Sequence, residues 1–381
     1  MSPMRIAYVS TIRSAAWGGS EELWFQSAKA ALDRQHTVGV FVYEWADEPA
    51  ALKDLRNRGA LIVKRPRSAS LGKRILHRLS ARLGNSLDSA LNPYKAIKEF
   101  NPDCVVVTDG STYYAADDAW LRSLLMDDFA GKYIIISQGN GPYNFPGDRA
   151  AAIRFFEAAK KIIFVAETNR QQAFHQLAHK IDNSAIVQNP VNLAAYDLLP
   201  PPESKDDCIH FAMVGRMFVG DKGQDIVIAL MAEDFWRNAD VRIHIYGKGS
   251  DLAYIRELIA FYKVEEKVII EGHTTIENIW ARCHALLMPS IIEGTPLTLL
   301  EAMVLGRICI VTKVGGNEEW IRDGENGFLA PAPTQELLSQ KMKEAYLQRD
   351  KWPAMAATAH AEAIAKLDMH PGNTLLQHIT A

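Results

Sequence analysis

"LLPPPESKDDCIHFAMVG", residues 198–215, is the stretch that decides the fold. Three consecutive prolines, Pro200 to Pro202, remove backbone donors and fix φ, and a charge cluster comes next, so no regular element is expected to cross them. Directly after, "CIHFAMVG" (208–215) reads as a strand. Before this break, "RIAYVS" (5–10), "TVGVFVY" (37–43), "DCVVVT" (103–108), "KYIIIS" (132–137), "KIIFVA" (161–166) and "SAIVQ" (184–188) are short apolar runs. Amphipathic helical stretches such as 20–34 and 167–179 lie between them. Near-continuous apolar strands alternating with helices predict a parallel, doubly wound α/β sheet with both faces covered. After the break the rhythm restarts with "VRIHIYG" (241–247), "KVIIEG" (267–272), "HALLMPS" (284–290) and "ICIVT" (308–312). Two Rossmann-like domains facing a cleft are therefore expected. They span 1–197 and 208–359, with 198–207 as linker and a helical tail, 360–381, rejoining the first.

A chain of 381 residues with 48% hydrophobic and 23% charged content has ample core for two such domains. A net charge of −3 gives no reason to expect nucleic acid as a partner. Cys104, Cys208, Cys283 and Cys309 form no CxxC pair, so buried free thiols in a reducing compartment are expected and zinc is not. No apolar run approaches the roughly 20 residues needed to span a bilayer. The expected location is cytoplasmic, with any membrane contact peripheral and on the inner face.

In open parallel sheets, ligands bind beyond the carboxyl ends of the strands. After the first strand, Gly18 and Gly19 precede Ser20, read as the N-cap of the next helix. Glycines there let backbone amides approach a phosphate or sugar; the alternative is a plain tight turn. After the strand at 208–215 come Arg216 and, six residues on, Lys222 before a helix pattern. Two cations there read either as a diphosphate clamp or as solvated surface charges. "YGKGSD" (246–251) and "IEGHTT" (270–275) bring Gly249 and His273 to two further strand ends, where they are expected to frame a nucleobase.

"IIEGTPLTLLEAMVLG" (291–306) holds Glu293 before a turn and Glu301 within an apolar helix pattern that Thr295 and Pro296 are expected to open. A buried carboxylate is costly unless donors reach it. Vicinal sugar hydroxyls supply two such donors, and a structural Glu bonded to backbone or to a core Arg is the plainer alternative.

Taken together, "GGSE" (18–21), "GR…KGQD" (215–225), "EGTPLTLLE" (293–301) and "GGNEEWIRDGENGFL" (315–329) resemble the retaining GT-B-fold glycosyltransferases of family 4, the group 1 glycosyl transferases, with "NPVN" (189–192) also similar. The resemblance implies transfer of a sugar from a nucleoside-diphosphate sugar, with UDP favoured over GDP, to a hydroxyl acceptor, using neither cofactor nor metal. It implies that Gly18 and Gly19 face the donor and that Arg216 and Lys222 bind its diphosphate. It further implies that Glu293 lies beside the donor sugar, that Glu301 holds the ribose, and that the backbone of Thr295 to Leu297 lines sugar and phosphate. The family's first-domain histidine is absent. Asp109 ("VTDGS") and Gln138 ("SQGNGP") stand at those strand ends as acceptor-side candidates. A nucleotide-sugar epimerase or hydrolase of the same fold, and a non-catalytic sugar-nucleotide sensor or scaffold, are the competing readings.

Within 61–91, Leu71, Ile75, Leu79, Leu83, Leu87 and Leu91 recur every fourth residue beside Lys73, Arg74, Arg78 and Arg82. Such a basic amphipathic helix fits an anionic membrane surface, a solvated domain helix or a groove for a phosphorylated acceptor.

Overall fold

The structure is a computed structural model that describes residues 2–13, 15–67, 92–141, 143–202 and 208–381. The basic repeat at 71–91 lies outside the described residues, and so does the reading of a membrane contact there. The chain divides into two compact units, Met1–Pro190 with Asp368–Ala381, and Val191–Leu367.

In the first unit seven strands pair in the order β3-β2-β1-β4-β5-β6-β7. They are β1 (Arg5–Ser10), β2 (Thr37–Tyr43), β3 (Leu61–Arg65), β4 (Cys104–Asp109), β5 (Tyr133–Ser137), β6 (Lys161–Phe164) and β7 (Ser184–Ile186). All neighbours run parallel. Because side chains alternate across a strand, Ile6 and Tyr8 enter one core and Ala7 and Val9 the other. That is why the strand reads as an unbroken apolar run.

The second unit repeats the plan with β8 (Ile209–Val214), β9 (Val241–Tyr246), β10 (Val268–Gly272), β11 (Ala285–Met288), β12 (Ile308–Thr312) and β13 (Phe328–Ala330). Their order is β10-β9-β8-β11-β12-β13, again all parallel. Phe211 and Met213 pack into one core, and Ala212 into the other.

The unit borders differ from those expected. The proline segment is not a free linker: Leu199 N–H donates to the Leu305 carbonyl, and the buried Arg307 guanidinium donates to the Leu199 and Pro200 carbonyls. Residues 191–202 thus belong to the second unit. At the other end, helix Trp352–Lys366 stays with the second unit through Met355, Ala356, Ala359 and Ala363. Only helix Pro371–Thr380 joins the first, burying Leu375, Leu376 and Ile379 beside Leu23, Trp24 and Ala28 of helix Gly19–Asp33. Two strands were missed by periodicity. β3 opens the stretch read as basic and helical, and β13 is only three residues long.

Candidate functional site

In each sheet the strand order reverses beside the first strand of its unit, and the loops at that point form the ligand position of doubly wound folds. In the second unit these are the loops after β8 and β11, residues 215–222 and 289–296. They carry Arg216, Lys222, Glu293 and Thr295.

Lys222 ends a one-turn helix, Val219–Lys222, and stands before helix Gln224–Leu230 with only Gly223 between them. Its Nζ donates to Glu293 Oε1 at 2.5 Å, and Ser290 Oγ donates to the same oxygen at 2.6 Å. Ser290 is fully buried, and its carbonyl accepts from Thr312 Oγ1 at 2.6 Å. The Glu293 side chain is only 9% exposed, so the pair is held in low-dielectric surroundings by a network that ties helix Val219–Lys222, the loop after β11 and the end of β12. Arg216 is exposed and bonds Asp221 Oδ2 at 3.0 Å, so the two cations are not a free pair: each already has a carboxylate.

Helix Leu297–Val304 starts one position later than expected. Pro296 is the flanking residue, and Thr295 lies buried ahead of it. The loop is tied down elsewhere, with Gly316 N–H donating to the Gly294 carbonyl at 3.0 Å. Gly315, at φ +51°, sits so close that a Cβ would lie 2.1 Å from the Glu293 carbonyl oxygen. Glu301, on the second turn, is 7% exposed among Leu299, Leu300, Ala302 and Met303. Among the described residues its carboxyl accepts no hydrogen bond, and burial followed by repulsion from Glu277 pushes it up to about 8. The misplaced acid of the sequence is therefore a carboxyl without a donor.

Gly249 has a local reason to be glycine: a Cβ there would meet the Met217 carbonyl oxygen at 2.1 Å, so it fits the loop after β9 against the loop after β8. His273 is exposed just beyond β10.

The remaining candidates belong to the first unit. Gly18 is extended, and helix Gly19–Asp33 begins at Gly19 without a side-chain cap, two residues before the start expected from Ser20 as the N-cap. A Cβ at Gly18 would meet nothing, so packing does not require glycine there. Within this helix Glu21 is buried, accepting from Ser10 Oγ at 2.8 Å and from Trp24 Nε1; burial pushes it up to about 7. Asp109 is fully buried and accepts from Ala115 N–H (2.8 Å) and Thr11 Oγ1 (3.2 Å), with burial raising it to about 7. Gln138 Oε1 accepts from Asn189 Nδ2 at 2.8 Å, while its own Nε2 is buried without a partner. The two side chains stand at neighbouring strand ends, Asp109 as the last residue of β4 and Gln138 just after β5. Ser290 and Asp221 escaped sequence reasoning because their partners lie three to five residues away in unremarkable loops. All four cysteines are buried thiols outside any disulfide. Among the described residues, no three His, Cys, Asp or Glu side chains gather in a group that could hold a metal ion. No helix among them is long and apolar enough to cross a membrane.

Residues 199–361 match the family model of the glycosyl transferases group 1. Over 197 residues the chain is 32% identical to the GtfA subunit of the Streptococcus pneumoniae UDP-N-acetylglucosamine–peptide N-acetylglucosaminyltransferase, covering 51% of this chain and 38% of that protein. It is 35% identical over 156 residues to the lipopolysaccharide 1,6-galactosyltransferase of Salmonella typhimurium, 38% of this chain and 41% of that one. The chain thus spans about two-fifths of the length of these curated relatives. Among solved structures, a glycosyltransferase from Rickettsia africae superposes with a TM-score of 0.73 at 18% identity, covering 100% of this chain and 99% of that one. Anabaena HepE in complex with UDP does so with a TM-score of 0.71 at 19% identity, covering 99% of each. Residues 199–361 thus match the glycosyl transferases group 1, and the two parallel-sheet units of the chain carry the GT-B fold.

Proposed function

We propose that this protein is a retaining, metal-independent glycosyltransferase that moves a sugar from a nucleoside-diphosphate sugar, UDP before GDP, to a hydroxyl acceptor. The observation that carries the reading is Glu301, a buried carboxyl without a donor, on the helix just past the Lys222–Glu293–Ser290 network. A ribose offers two adjacent hydroxyls, and a carboxylate accepts both. Lys222 and Arg216 then take the diphosphate, exchanging part of their bonding to Glu293 and Asp221 for phosphate oxygens. This places positive charge where the leaving group gains negative charge. Glu293 keeps Lys222 aligned before the donor arrives and afterwards accepts a sugar hydroxyl. Retention implies attack on the face from which the diphosphate leaves. The C1–O bond to the phosphate breaks, the C1–O bond to the acceptor forms, and the acceptor's proton passes to the departing phosphate oxygen. The UDP-N-acetylglucosamine transferase among the relatives and UDP-bound Anabaena HepE support a uridine donor.

The test is turnover with UDP-glucose, UDP-galactose or UDP-N-acetylglucosamine, following UDP release with and without hydroxyl acceptors. Acceptor-stimulated release is expected, with Lys222→Ala lowering it about 10²-fold, the scale of losing one transition-state donor. Release of free sugar or an epimer with no acceptor dependence would replace the reading by a hydrolase or epimerase.

A further inference from the structure

Arg65, the last residue of β3, is only 5% exposed at the carboxyl edge of the first unit's sheet. Its guanidinium lies 4.0 Å from the ring centre of Tyr43, its register neighbour on β2, and 4.6 Å from that of Tyr94. Rings against its faces leave only the in-plane edges for hydrogen bonding. Nη2 donates to the Ser10 carbonyl, whereas Nε and Nη1 are buried with no partner. The nearby acid is already engaged: Asp118 Oδ2 accepts from Tyr94 Oη, and Oδ1 accepts from the Trp120 and Leu121 amides. A guanidinium does not deprotonate in proteins, so this charge persists at any working pH.

A second cation stands beside it. Arg13, exposed in the loop after β1, donates from Nε to Tyr43 Oη at 2.8 Å and lies 5.0 Å from the same ring centre. Arg67 stacks on Trp45 at 4.1 Å, two residues past each strand. Three arginines converge on one sheet edge, and among the described residues none of them forms an ion pair. A planar fork with unused donors matches the geometry of a phosphate group.

We propose that Arg65, with Arg13 on the same Tyr43 ring, is an anion subsite that takes a phosphate-ester group of the acceptor. The word acceptor rests on the transferase reading; binding of phosphate does not. A soluble sugar phosphate and a lipid headgroup present the same chemistry.

The experiment titrates inorganic phosphate into the full chain carrying Arg216→Gln and Lys222→Gln, so that the second unit's cations do not contribute. Saturable binding is expected, weakened roughly tenfold or more by Arg13→Gln, the scale of one charge-assisted contact. Arg65→Lys keeps the charge but loses the fork, and the same loss is expected. Thermal melts check that each variant folds; if Arg65→Lys does not, Arg13→Gln on the surface decides alone. Absence of saturable binding, or superposed curves for Arg13→Gln and its parent, would overturn the proposal. Glycerol 3-phosphate and vesicles containing phosphatidic acid, compared in the same assay, separate the two sources. UDP binding by the unaltered protein reports separately on the transferase reading, so either can fail without the other.

Discussion

At position 301 a carboxyl occupies an apolar helix face with no donor of its own, and this sets its ionisation. It titrates at about 8 in the folded chain and near 4.5 when unfolded. The folded state therefore binds the extra proton between those values, and stability falls as pH rises from about 4.5 to 8. Glu301→Gln removes that dependence. The variant's melting temperature, compared with that of the unaltered protein, should gain steadily between pH 5 and pH 8, while nucleotide affinity drops. A difference that does not change with pH would contradict a buried, donor-free carboxyl. The anomaly was legible in the sequence, because an acid among Leu299, Leu300, Ala302 and Met303 has no packing reason to be there. The pairing of Lys222 with Glu293 was not, since 71 residues separate them and only the neighbouring positions of β8 and β11 bring them together.

Between residue and fold stand the loops. The loop from Ser290 to Pro296 is fixed by Lys222, Thr312, Gly316 and the close approach of Gly315. In Gly315→Ala, a Cβ at a positive φ would cost about 1–2 kcal/mol of backbone strain and push the Glu293 carbonyl away. A lower melting temperature and a weaker affinity for the full sugar donor are expected together. Wild-type values for both would mean that this loop does not position Glu293. Element types were read well wherever an apolar run was buried on both faces. Helix starts differ from the expected ones by two residues at Gly19 and by one at Leu297, because the residue that flanks each helix is not the good capping residue the sequence offers. β3 was lost because its outer residues Leu61 and Lys64 are exposed, which dilutes the apolar pattern of a sheet-edge strand.

At the scale of the whole molecule, the chain leaves its first unit at Pro190 and returns to it at Asp368. The proline run suggested the border by its composition, but Arg307 takes up its carbonyls and it packs with the second unit. The return is held by apolar burial on helix Gly19–Asp33. Leu376→Ala should cost about 2–5 kcal/mol in the first unit, as a cavity in a packed core does. Hydrogen exchange should quicken in residues 19–33 and stay unchanged in 208–366. Equal acceleration in both stretches would show that the tail does not belong to the first unit alone. The central claim, that the second unit is a nucleotide-sugar site with Glu301 on the ribose, is tested most directly by calorimetric titration of UDP in buffers of different ionisation enthalpy. Ribose hydroxyls donating to Glu301 stabilise its charged form, so binding at pH 7 should release a proton, and affinity should rise with pH until about 8. Glu301→Gln should abolish the proton release and weaken UDP roughly tenfold, about 1.4 kcal/mol. UDP binding of unchanged affinity and unchanged proton release in Glu301→Gln would contradict the account.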